Sequence, residues 1–224
     1  MKDHTHYNER KAEESEYITI RRKQWYQKTI EKSDFIAYAA PIEGEKEVSI
    51  ILEGVRQKYP GATHYVYAFT LGIKQEMQKF NDDGEPSGTG GMPILEIFRN
   101  KNLCNLMVVV VRYFGGIKLG TGGLKRAYSR TALKAIEEAG IINMKLYQWF
   151  HLKIDYTYWG KIEYFLAQLH IPTDKVVFTD MVSLNIPLLP CDEETVLAQV
   201  AEIIGDVPEI EKLDREYLAD LSAD

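Results

Sequence analysis

Cysteine is almost missing from this chain. Cys104 and Cys191 are the only two in 224 residues, far apart and with no second cysteine or histidine beside either. That excludes a disulfide framework and a zinc site of ordinary ligand spacing. Each thiol is therefore expected to be buried as a small apolar group. Histidine is nearly as scarce: of five, only His4 and His6 are close together, in a polar stretch. No long apolar run exists either. The longest, Leu106–Val111, has the length of a strand, far below the roughly 20 residues that span a bilayer. The opening MKDHTHYNERKAEESE lacks the apolar core of a secretory signal. A membrane protein and a secreted disulfide scaffold are thus excluded, and a cytoplasmic location is expected.

Charge of one sign is also missing locally. From Arg112 to Arg130 there are five cations (Arg112, Lys118, Lys125, Arg126, Arg130) and no acid. After residue 150 the balance reverses. Residues 1–150 carry 22 Lys+Arg against 18 Asp+Glu, whereas residues 151–224 carry 5 against 15. The net −6 of the chain is therefore a mildly basic N-terminal part joined to a C-terminal part at −10. The first attracts a polyanion locally and the second repels one.

What is present is a soluble, globular composition, 45% hydrophobic and 27% charged, long enough for two ordinary domains. Glycine is concentrated: nine of 16 lie between Gly84 and Gly123. They form two loops around the apolar run, N-D-D-G-E-P-S-G-T-G-G (Asn81–Gly91) and F-G-G-I-K-L-G-T-G-G (Phe114–Gly123). Glycine lets backbone approach another group closely, so the pattern points to a site built from main chain.

Taken in order, residues 1–16 read as a polar lead-in. Strands are expected at Glu16–Ile20 and within Trp25–Pro41, with the turn at Glu31–Asp34. Val48, Ile51, Leu52, Val55 and Tyr59 recur at helical spacing, and Pro60-Gly61 ends that helix. Ala62–Leu71 and Gln75–Phe80 read as strands, Gly90–Asn100 as a short helix, and Leu103–Tyr113 as a strand covered on both faces. Leu124, Tyr128, Ala132, Ala135, Ile136 and Ala139 line one face of a helix that stops at Gly140. The pattern then resets, placing a domain boundary near Tyr147–Phe150. Strand His151–Tyr156, helix Gly160–Leu169, strands Lys175–Thr179 and Val182–Pro187, helix Asp192–Ile204 and strand Ile210–Tyr217 follow. That order, β-α-β-β-α-β, is ferredoxin-like. The expected organisation is 1–16 lead-in, 17–147 first α/β domain, 148–224 second.

None of the familiar loops fits the glycines. A phosphate-binding G-x-x-x-x-G-K-[ST] loop fails because Thr121 stands where lysine is needed after Gly115 and Gly120. The dinucleotide fingerprint fails at Lys125, and a nucleophile elbow would need serine at Pro86 rather than Ser87. A more general chemistry remains. Gly122-Gly123 open a helix, where free N–H groups and the dipole favour an anion, with Lys125 and Arg126 in the same turn. Gly115, Gly116, Lys118 and Arg112 adjoin it, so a phosphate or carboxylate ligand is one reading; the other is a tight turn with solvated cations. Tyr113 and Tyr128 either stack on bases or fill the core, and Phe114 is expected in the core. His64 is either a base or phosphate contact, or a packed histidine among aromatics.

The first loop offers Asp82, Asp83 and Glu85, with Gly84, Ser87, Gly88 and Thr89. Its carboxylates suit Mg²⁺ beside a phosphate. Equally, Asp82-Asp83-Gly84 makes a turn and Ser87 or Thr89 a helix N-cap. A third arrangement pairs the acids with Arg112, Lys125 or Arg126 and braces the two loops.

The blocks D-D-G-E-P-S-G-T-G-G-M-P-I-L (Asp82–Leu95) and V-V-V-V-R-Y-F-G-G-I-K-L-G-T-G-G-L-K-R-A-Y (Val108–Tyr128) resemble the signature of the IMPACT family, including its bacterial YigZ-like members. K-S-D-F-I-A (Lys32–Ala37) is similar to the family's K-S-[KR]-F-I, with Asp34 in place of a basic residue, and Asn81 stands where serine is usual. The resemblance implies a first domain like the second domain of a small-subunit ribosomal protein, a domain of elongation factor G and galactokinase-type kinases. It implies a second domain like the last domain of elongation factor G. Eukaryotic members modulate a translation-inhibiting kinase through an extra N-terminal domain, for which the residues before Tyr17 leave no room. The expectation is a translation-associated, non-enzymatic binder of RNA, ribosomal components or another anionic ligand through the basic glycine loop. Neither a bound cofactor nor sequence-specific reading of DNA is expected. The alternative is an enzyme acting on a phosphorylated small molecule or nucleotide through a carboxylate-held Mg²⁺.

Overall fold

A computed structural model describes residues 16–221, which hold ten strands and five helices. They divide into two compact units, with the division between Asn143 and Met144. The division falls inside one strand, a few residues before the change of pattern at Tyr147–Phe150.

The first unit is built on strands β1 (Glu16–Ile20), β2 (Gln24–Ile30), β3 (Ser33–Pro41), β4 (His64–Leu71), β5 (Met77–Asn81) and β6 (Leu106–Tyr113). Its helices are α1 (Glu45–Lys58), α2 (Gly91–Asn100) and α3 (Gly120–Ala139). Five of the strands form one antiparallel sheet in the order β2-β3-β6-β4-β5. The apolar run makes the central strand because it serves two cores at once. Leu106, Val108 and Val110 pack against α2 and α3, while Met107, Val109 and Val111 pack against α1 through Val48 and Val55. Successive side chains on a strand point to opposite faces, so a strand covered twice must be apolar throughout. Arg112 continues the even series, which aims it at the α2–α3 side. β1 is attached by a parallel bridge from Ile18 to Leu103, with Cys104 N–H donating to the Ile18 carbonyl at 2.7 Å.

The turn joining β2 to β3 is tighter than the expected Glu31–Asp34. Ile30 pairs with Ser33, leaving Glu31 and Lys32 as a two-residue loop, both at positive φ (44° and 59°). That is the mirror-image hairpin turn, which usually employs asparagine and glycine. Here it is held by contacts described below.

The second unit runs β7 (Ile141–Ile154), α4 (Tyr156–Gln168), β8 (Asp174–Phe178), β9 (Val182–Leu188), α5 (Glu193–Ile204), β10 (Glu209–Ala219). Its strands lie in the order β8-β9-β7-β10, all antiparallel, around a core that includes Leu152, Ile162, Leu166, Leu184, Ile186 and Val200. The ferredoxin-like order is present, with two corrections to the expected bounds. β7 begins ten residues before His151, because it pairs with β10 from Met144 onward. Tyr156 belongs to a helix: the Asp155 carboxylate accepts the Thr157 N–H at 2.8 Å and starts α4 there. Cys104 is buried as expected, whereas Cys191 is exposed beside the start of α5. No helix among the described residues is long and apolar enough to cross a membrane.

Candidate functional site

The acidic loop is spent on itself. The Asp82 carboxylate accepts backbone N–H groups from Gly88 (2.7 Å), Gly90 (3.0 Å) and Gly91 (2.8 Å). It therefore caps α2 from outside, the role expected of Ser87 or Thr89. Ser87 is exposed, and Thr89 is buried with its hydroxyl donated to the Pro86 carbonyl at 2.6 Å. Asp83 accepts the Tyr65 N–H at 2.6 Å and lies 3.9 Å from Arg56. Its own carbonyl takes a hydrogen bond from His64 Nδ1 at 2.8 Å. A carbonyl only accepts, so that ring nitrogen carries the proton. Gly84 turns at φ +85° directly over the His64 ring.

Glu85 goes inward. Its Oε1 receives Arg112 Nη1 and the Tyr128 hydroxyl, both at 2.7 Å, and stands 3.8 Å from His64 Nε2. The Glu85 and Arg112 side chains are 3% and 5% exposed. The guanidinium lies between the rings of Phe35 and Phe114, at 5.3 and 5.4 Å, and its Nη2 faces Ser33 Oγ at 3.4 Å. The loops are thus braced, by Glu85 and Arg112 alone of the pairings considered. Burial foremost, then the bond to Glu85 and the charge of that carboxylate, push the Tyr128 hydroxyl far above its ordinary pKa. With its ring fully buried, Tyr128 cannot stack on a base. Tyr113 is half-buried, its hydroxyl tied to the Pro60 carbonyl at 3.1 Å. Phe114, expected in the core, is 45% exposed. Strand β6 has ended at Tyr113, so the alternation that buries its other apolar side chains no longer governs Phe114.

These contacts bear on the suggested Mg²⁺. Three carboxylates that accept from backbone N–H groups, a guanidinium and a phenol do not converge on a cation. Among the described residues no cluster of His, Cys, Asp and Glu has metal-holding geometry. The donor set does not fit the ion.

The basic loop is arranged differently. Gly115 presses on the β2–β3 turn: a Cβ there would lie 1.8 Å from the Lys32 carbonyl oxygen, and its N–H donates to Ser33 Oγ at 3.2 Å. Only glycine permits that approach, and it is what holds the strained turn at Glu31 and Lys32. Gly116 follows at φ +86°. The chain then enters α3, where Gly120, Thr121 and Gly122 make up the first turn and have no carbonyl within the helix to serve. Beside them an open groove of about 450 Å³ is lined by Ile30, Glu31, Ile117, Lys118, Leu119, Gly123, Arg126, Ala127 and Arg130. Gly123 lies close against Leu119 in the groove lining, where a Cβ would meet Leu119 Cβ at 3.0 Å.

Of the residues singled out in the sequence, Lys118, Gly123 and Arg126 meet in this groove. Lys125 is exposed on a different side of α3 and does not line it, nor does Gly122. Arg112 and Tyr128 belong to the buried brace, with His64 at its edge. Sequence reasoning missed Ile30, Glu31 and Ile117 as wall residues and Ser33 as a link. Ser33 stands in the K-S-D-F block, but its partners are about eighty residues away, beyond any local pattern.

The Impact N-terminal domain model matches residues 31–136, the stretch containing both loops, the brace and the groove. "IMPACT family member YvyE" of Bacillus subtilis (strain 168) is 40% identical over 147 residues, 66% of this chain and 68% of that protein. "IMPACT family member in pol 5'region" of Thermus thermophilus is 35% identical over 166 residues, 73% and 88% of the two chains. Among solved structures, one described as the crystal structure of a hypothetical protein superposes with TM-score 0.57 and 27% identity, over 90% of this chain and 99% of that one. With such relatives matched along most of their length, the chain belongs to the IMPACT family.

Proposed function

We propose that this protein is a non-enzymatic binder of RNA that works alongside translation, and that the groove beside α3 is where the backbone of the RNA lies. The observation that carries the reading is the contrast between the two loops. The acids of the first are consumed by internal bonds, whereas Lys118, Arg126 and Arg130 are exposed along one groove in which Glu31 is the single acid. No ion pair engages any of these three among the described residues. Phosphates suit such a groove, because cations that neutralise them release condensed counterions. The link to translation rests on what the family resemblance implies. An enzyme using Mg²⁺ on a phosphorylated substrate is disfavoured by the same contrast, since the carboxylates it needs already have partners.

Binding of an unstructured oligoribonucleotide across a salt series tests the proposal. Three phosphate contacts predict a slope of log K on log salt of about −2 for a single strand. The double change Arg126→Ala with Arg130→Ala should flatten that slope to about −0.7. Absence of binding at low salt would sink the reading.

A further inference from the structure

Phe114 is one of several large apolar side chains left exposed, set apart from the others among the described residues by the cation beside its ring. It belongs to none of the three apolar clusters and leaves 45% of its surface to solvent, yet its backbone is tightly held. The Phe114 N–H donates to Thr63 Oγ1 at 3.1 Å, and the next residue is pinned against the β2–β3 turn through Ser33 and the Lys32 carbonyl. The Arg112 guanidinium stands 5.4 Å from the ring centroid and is itself fixed by Glu85 at 2.7 Å. An exposed ring normally trades rotamer freedom for any contact it makes. Here the backbone that carries the ring is already fixed, and a buried cation stands beside the ring. Three and four residues on come Ile117, 37% exposed, and Lys118, both in the groove wall.

We infer that Phe114 is a stacking platform for an unpaired base, so that the ligand class of the groove is single-stranded rather than double-stranded RNA; this rests on the groove reading given above. A flat π-face accepts any base, and stacking of this kind changes affinity by roughly five- to a hundredfold per base. Phosphates flanking the stacked base run toward Lys118, Arg126 and Arg130. A duplex has no base face to offer, because its bases are stacked on one another and its A-form major groove is deep and narrow. The ring therefore selects strand state, whereas the cations alone do not.

The test uses the full chain at one low salt concentration with three probes: a labelled 12-nucleotide oligouridine, a blunt 12-base-pair RNA duplex, and inorganic polyphosphate. Expected are about tenfold tighter binding of the single strand than of the duplex, and about tenfold loss for the single strand in Phe114→Ala. The same variant should bind duplex and polyphosphate within about twofold of the parent and stay folded, losing at most the small stability that one partly exposed cation–π contact to Arg112 contributes. Phe114→Trp should retain affinity and show fluorescence quenched by the oligonucleotide. Equal binding of single strand and duplex, or a neutral Phe114→Ala, overturns the platform while leaving the groove standing. Failure of all three probes to bind overturns the groove and the platform together.

Discussion

Glu85 and Arg112 carry opposite charges almost out of contact with water, and each is tolerable only because the other is 2.7 Å away. Removing one member leaves the other charged and unpaired, a change that typically costs about 3–5 kcal/mol. Glu85→Ala should therefore lower urea-unfolding stability by that amount, and Glu85→Leu with Arg112→Met should recover most of it. If Glu85→Ala unfolds within about 1 kcal/mol of the parent, the pair is not the brace described. Tyr128 adds a pH signature. Its folded pKa is raised above the ordinary value of about 10, chiefly by burial. The unfolded chain then loses this proton first. The stability conferred is complete below about pH 10 and declines as pH rises past it. Tyr128→Phe should cost about 1–3 kcal/mol at neutral pH, and the gap to the parent should narrow above pH 10. A gap independent of pH would contradict this account. In the sequence the pairing of an acid with Arg112 stood beside a ligand reading, and a core place for Tyr128 beside stacking on a base, because charge and aromaticity look alike whether they serve a partner or a core.

At the scale of elements, α2 and α3 both begin in glycine, and they solve the same end problem differently. The first turn of α2 is capped by Asp82, so Asp82→Ala should destabilise the first unit by about 1–3 kcal/mol and leave polyanion binding unchanged. No side-chain cap serves α3, and its first turn opens beside the groove. Gly123→Val adds a side chain to the groove lining against Leu119. It should abolish oligoribonucleotide binding with a stability change of about 1–3 kcal/mol. Arg126→Ala should weaken binding more than Lys125→Ala, because only Arg126 lines the groove. Melting curves and affinities measured on the same three variants decide the matter. If Gly123→Val unfolds the domain, or Lys125 proves the more important cation, the groove is placed wrongly. The helix itself was legible from its periodicity; which cation faces the groove was not, since Lys125 and Arg126 are adjacent and differ only in their angle around the axis.

The whole molecule joins a basic part to an acidic one, and each unit has its own apolar core. A chain ending at Tyr147 should stay folded and bind polyanions more tightly at low salt than the full chain, since it sheds the net −10 of residues 151–224. The advantage should vanish as salt screens it. Equal affinity at low salt would show that the acidic unit does not oppose the ligand.

Periodicity and composition determined the elements, the two-unit plan and the central place of Leu106–Val111, because burial on both faces demands an unbroken apolar strand. The family was written in two ungapped blocks around that strand. The tertiary structure alone decided the fate of the polar and aromatic residues between them. Glu85 reaches Arg112 and Tyr128 from elements 27 and 43 residues away, so its pairing depends on sheet order, which no local window encodes. The same closure buried Tyr128, one of the two places left open for it, and left Phe114 outside, against its expected place in the core. Phe114 lies one residue past the end of β6, where the alternation of a strand no longer dictates which side a side chain enters.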